Sequence, residues 1–162
     1  MRIGESMLAE WDQEMATTRR LLERVPTDKG EWKPHEKSFS LGHLAQLVSW
    51  IPGWMVTTLR EPHLDLAGGA RYSLQPTNEL LAQFDENVKR GRAALDEVSD
   101  EAIAQDWSLK MGDRVLMTQP RRVVARQHIS HLVHHRAQLG VYFRRLDVPV
   151  PSMYGPTADE RW

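Results

Sequence analysis

The chain contains no cysteine. Disulfides, thiolate metal ligands and a cysteine nucleophile are therefore excluded, and any metal must be held by histidine, carboxylate or water. Net charge is nearly absent as well, −1 with histidine neutral. That leaves no global electrostatic case for nucleic acid. The pairs Arg19-Arg20, Arg121-Arg122 and Arg144-Arg145 read as solvated helix faces rather than as a basic patch. No apolar run approaches the roughly 20 residues needed to span a bilayer. The start, Met1-Arg2-Ile3-Gly4-Glu5, has no apolar signal-peptide core. A soluble cytoplasmic protein is the expectation. Internal repeats, low-complexity tracts, a glycine-rich phosphate loop and a serine-hydrolase elbow are also missing.

What is present is helical periodicity. The 162 residues suit one domain, 1–162, with a sizeable core and a tail at 147–162. Residues 5–25 repeat apolar side chains at three and four, from Met7, Leu8 and Trp11 to Leu21 and Leu22, and Pro26 stops the helix. Ser40 suits the N-cap of a second helix over 41–59. Pro52-Gly53 inside it predicts a kink, or the start of a separate short helix. Residues 62–76 read as a loop. Thr77 or Asn78 caps a third helix running to 98, and Ser99 caps a short turn. Partial alternation over 106–119 predicts an extended crossover or a loose hairpin. Pro120 then opens a fourth helix reaching 146. The proline-rich tail, through Tyr154-Gly155-Pro156, cannot be helical throughout, and is a candidate lid or dimer clasp. Four long helices with little strand signal predict an all-α four-helix bundle with long crossover loops, and long loops tend to cover a site.

The fourth helix carries the chemistry. Four of the seven histidines, His128, His131, His134 and His135, fall within eight residues. At 3.6 residues per turn, His128, His131, His135, Gln138 and Tyr142 form one polar stripe. His131 and His135, four apart, have the spacing at which two imidazoles on one helix hold one transition-metal ion. The same spacing also suits two structural histidines. Leu132 stands where a protease of the His-Glu-x-x-His type has its glutamate, which argues against that chemistry. His128, Gln138 and Tyr142 are candidates for supporting or pocket residues. His134 projects about 100° away from His135 and is not taken as a ligand. Trp107 and Trp162 are the tryptophans expected near a cleft.

Several motifs together resemble the DinB/YfiT superfamily of metalloenzymes over nearly the whole chain. They are Trp32-Lys33-Pro34-His35-Glu36-Lys37-Ser38, Ser40-Leu41-Gly42-His43-Leu44-Ala45-Gln46-Leu47, Pro52-Gly53-Trp54, the run from His131 to Leu139, and Pro149 to Glu160. The resemblance implies an up-down-down-up bundle, often a homodimer, with zinc or nickel held by three histidines. Two of these carry over to His131 and His135. The third falls on Leu47, a departure from the pattern, and His43, one turn earlier, is the substitute ligand. Catalytic residues are left unassigned. The implied activity is thiol transfer from a low-molecular-weight thiol to a small electrophile, with hydrolysis second. The alternative is a non-catalytic bundle that binds a small ligand or a protein.

Overall fold

The computed structural model describes residues 1–69 and 71–161. Its elements are α1 (Ile3–Ser6), α2 (Leu8–Leu22), α3 (Leu41–Arg60), β1 (His63–Asp65), α4 (Thr77–Glu97), α5 (Asp100–Ala104), β2 (Asp106–Met111), β3 (Arg114–Pro120) and α6 (Arg121–Arg145). The expected first helix is broken at Met7. α1 turns away because Ile3 N donates to Asp100 Oδ1 at 2.7 Å, tying it to α5.

Side-chain bonds fix the directions of the four long helices. Asp12 and Asp85 of the α2–α4 pair meet Arg92 and Arg19, so these two helices run antiparallel. Arg60 meets Glu97 at the ends of α3 and α4, and Gln46 near the start of α3 bonds the Ser73 carbonyl, just before α4, so α3 and α4 are parallel. Thr58 meets His128 while Phe39 meets Tyr142, so α6 is antiparallel to α3. The result is the expected up-down-down-up order, and the parallel pair forces the 61–76 crossover. Leu21, Leu44, Met55, Phe84, Leu95, Leu132 and Phe143 are buried in the shared core.

α3 is continuous through Pro52 rather than two helices. Proline supplies no N–H there, and in the same turn the Ser49 carbonyl accepts from Asn87 Nδ2 at 2.9 Å. Gly91 permits the close approach of α4 to this turn: a Cβ on it would lie 2.6 Å from the Trp11 ring and 2.9 Å from the Pro52 carbonyl oxygen. Ser40 and Ser99 cap as expected, accepting from His43 N and Ala102 N. Thr77 does not cap α4; Pro76 precedes it, and Thr77 bonds back to Thr27 and Val25.

The main departure from an all-α bundle is a small sheet in the order β1-β2-β3. β2 and β3 make the hairpin, with Gly112 at φ 58°, the left-handed value that a two-residue turn asks of its first central position. β1, inside the stretch expected to be loop, pairs parallel with β2. The pairing places Leu64, Leu109 and Met117 in one row across the three strands. The sheet lies at the end of the bundle where α3 and α4 finish and α6 begins. Arg121, first in α6, anchors that corner by donating to the Thr58 and Glu61 carbonyls at 2.6 and 2.9 Å. Among the described residues no helix is long and apolar enough to cross a membrane.

Candidate functional site

His131 and His135 meet as their spacing requires, Nε2 to Nε2 at 2.8 Å. Gln138, nearly one turn on, places its carboxamide oxygen 2.8 Å from His135 Nδ1 and its nitrogen 3.2 Å from His134 Nε2. An amide oxygen only accepts and an amide nitrogen only donates. The network therefore assigns the His135 proton to Nδ1, and His131 Nε2–H donates to the free His135 Nε2. Burial lowers the pKa of both rings, helped by the neighbouring histidines and opposed at His135 by the Gln138 bond. Neutral imidazoles are the form that binds metal. For both Nε2 atoms to face one cation, the His131 proton must move to Nδ1.

His128 sits one turn earlier against α3. Its Nε2 lies 2.8 Å from Thr58 Oγ1, and Trp54 packs edge-on to it at 6.0 Å. Burial, then the nearby His131, pushes its pKa down to about 4, so it is neutral at physiological pH. Trp54 also covers His131, at 5.5 Å between ring centroids. Tyr142 is buried and donates to the Phe39 carbonyl at 3.1 Å, so it joins α6 to the loop before α3.

The structure does not bring His43 to the pair. His43 is stacked between Phe39 and Tyr72, with centroids 4.4 and 4.7 Å away. Trp54, which faces His131, is eleven residues further along α3, or about 16 Å by helix rise. Among the described residues no third histidine, aspartate or glutamate joins His131 and His135 in a metal-holding group. Leu47, at the expected third position, is a partly buried side chain packed on the core. Two converging nitrogens and a ring oriented by Gln138 fit a metal; the three-histidine set is not formed.

The larger feature was not legible in the sequence. Beside the pair opens a cavity of about 810 Å³ between α3, α4, α6 and the sheet. Its walls are mostly apolar: Trp50 and Trp54 from α3, Val124 from α6, Trp107 from β2 and the Leu64–Leu109–Met117 row. Thr57, Thr58, Gln83, Asn87, Arg90, Gln127, His128 and His131 contribute polar groups. Trp107 is the cleft residue expected from sequence, while Trp162 lies outside the described residues. The size and the few convergent polar groups match small-molecule sites in general.

Among the described residues, none of the tail lines these walls. It folds back onto α2 and α6. Arg136, 1% exposed, bonds Glu14 Oε2 at 2.7 Å, Thr18 Oγ1 at 3.1 Å and the Tyr154 hydroxyl at 2.7 Å. That hydroxyl lies 2.8 Å from each Glu14 carboxylate oxygen. Arg20, Arg24 and Arg144 hold Glu160 and Asp159 further along. The tail, a candidate lid or dimer clasp from sequence, packs through these bonds on its own bundle.

The chain is an up-down-down-up helical bundle with a histidine pair on its last helix and a Tyr-Gly-Pro tail tied down by Arg136. The chain belongs to the DinB family, whose sequence profile matches residues 1–161. No curated protein matches it. Among solved structures, it is similar to a DinB-like protein from Bacillus subtilis, at 16% identity and a TM-score of 0.72 over 97% of this chain and 99% of that one. A DinB-like protein from Bacillus cereus is 20% identical, also with a TM-score of 0.72, over 93% of this chain and 97% of that one. At such identities the likeness is one of fold.

Proposed function

We propose that this DinB-family chain binds an apolar small molecule in the cavity beside His131. The observation that carries the proposal is the cavity itself, about 810 Å³ and walled by Trp50, Trp54 and Trp107. Its aromatic and aliphatic lining offers a favourable exchange of water for contact. The neutral His128 and His131 edges supply hydrogen bonds without the charge that would repel an apolar guest. A short alcohol such as 1-octanol is a suitable probe. Seven methylenes at about 0.8 kcal/mol each set a best dissociation constant near 0.1 mM. Tryptophan fluorescence reads the binding, and Thr57→Phe, which fills part of the space, is expected to abolish it. A wild-type response that never saturates, or one unchanged in Thr57→Phe, would contradict the proposal.

A metal-dependent activity is the second function, favoured by one specific observation, the convergence of the two Nε2 atoms with Gln138 on His135 Nδ1. In that case His131 and His135, with water, hold zinc or nickel, and a low-molecular-weight thiol is the partner of a small electrophile. Two imidazoles and water make a weak site. Titration of chelator-treated protein with zinc is expected to give weak binding that His135→Ala removes. Leu47→His, which restores the family's third histidine, is expected to tighten it. Tight stoichiometric zinc in the unaltered chain would promote the metal function to first place.

A further inference from the structure

We infer that the cavity selects an anionic amphiphile, an apolar body carrying one carboxylate, and that Arg90 takes the carboxylate; this rests on the small-molecule function proposed above. α4 presents Gln83, Asn87 and Arg90 to the cavity at spacings of four and three. They form one polar stripe along a mostly apolar chamber. Two charged side chains reach the walls, Arg90 and Asp65. Asp65 is already committed, since its Oδ1 accepts from Ala67 N and Gly112 N, both at 2.9 Å. Arg90 is free. Its neighbour Arg92 is paired with Asp12, but among the described residues Arg90 has no carboxylate within ion-pair reach. Gln83 Oε1, on the same stripe, and Trp107 Nε1, on the opposite wall, are buried without hydrogen-bond partners among the described residues.

A guanidinium matches a carboxylate with two parallel hydrogen bonds and stays charged at every physiological pH. One such group with neutral histidines nearby suits a monoanion. A phosphate would call for further cations, and none line this cavity. The Leu64–Leu109–Met117 row and the tryptophans are left to the apolar body.

The test uses the full chain, treated with chelator, and three probes with one body: octanoate, 1-octanol and octylamine. Binding is followed by tryptophan fluorescence, in the unaltered chain and in Arg90→Gln, whose exposed position leaves the fold intact by thermal melting. Octanoate is expected to bind about tenfold more tightly than 1-octanol at low salt, with octylamine weakest. Arg90→Gln should bring octanoate down to the level of 1-octanol. Equal binding of octanoate and 1-octanol in the unaltered chain would overturn the inference, as would a preference retained in Arg90→Gln. In either case the cavity would still be a small-molecule site. Failure of all three probes would overturn that function too.

Discussion

His135 and Arg136 are neighbours in sequence and opposites in role. Arg136 points into the α2–α6 seam, where a carboxylate, a hydroxyl and a tyrosine satisfy it with almost no exposure. His135 takes its partners, His131 and Gln138, from its own helix. One face is closed by residues up to 122 positions away in the chain. The other is left open beside a cavity. The run from His131 to Arg136 therefore has two parts: Arg136, with Tyr154, holds the tail to the bundle, and the histidines hydrogen-bond within their own helix. A buried charge with no alternative partner is fixed by its desolvation, whereas a histidine pair bonded only to its own turn can be recruited.

The largest effects should come from the closed face. Arg136→Ala leaves Glu14 buried and short of its cation, and is expected to destabilise the fold by about 3–5 kcal/mol in urea unfolding. Replacing both partners, Arg136→Met with Glu14→Leu, should recover most of that loss. If the single change is nearly neutral, the two faces do not differ as described.

Next comes the pH dependence of His128. Its folded pKa of about 4 lies below the usual histidine value. Above pH 6.5 both states are neutral and the residue adds no pH dependence. As pH falls from 6.5 towards 4, the unfolded chain takes a proton that the folded chain refuses, and stability drops by at most about 3 kcal/mol. His128→Gln should flatten that part of the stability curve between pH 7 and 4.5. Parallel curves for the two proteins would place His128 in water rather than against Thr58.

Tyr154→Phe removes a hydroxyl shared by Arg136 and Glu14, and about 1.5–3 kcal/mol is the expected loss. Limited proteolysis should then cut the tail earlier than in the unaltered chain. An unchanged cleavage pattern would mean the tail is held by Arg20, Arg24 and Arg144 alone. The smallest effect belongs to the open face. His135→Ala should shift unfolding by less than about 1 kcal/mol, because the bonds it loses are neutral and reachable by water. A large loss there would make the pair structural, and the contrast with Arg136 would disappear.

The long helices were legible because their periodicity is local, and because Pro26 and Pro62 stand just beyond α2 and α3. The ends observed for α3 and α4 fall within a residue of the predicted ones. β1 was not, since His63-Leu64-Asp65 is too short for a period and its partner β2 lies more than forty residues on. The His131–His135 contact followed from spacing on one helix. His43 did not, because sharing a face with Leu47 says nothing about distance along α3, and Phe39 and Tyr72 take it up at the helix start. The Arg136–Glu14 pair joins residues 122 apart, so no spacing rule reaches it. The cavity was the least visible feature, as its walls come from three helices and a sheet. Of its walls, Trp107 had been marked for a cleft and His128 as a supporting or pocket residue.

The most direct test of the central claim is a titration of chelator-treated protein with 1-octanol, followed by tryptophan fluorescence. Saturable binding with a dissociation constant in the range of about 0.1–1 mM is the predicted result, retained in His135→Ala and lost in Thr57→Phe. Binding that appears only after zinc is restored, or that His135→Ala abolishes, would contradict the account and make the histidine pair, rather than the cavity, the centre of function.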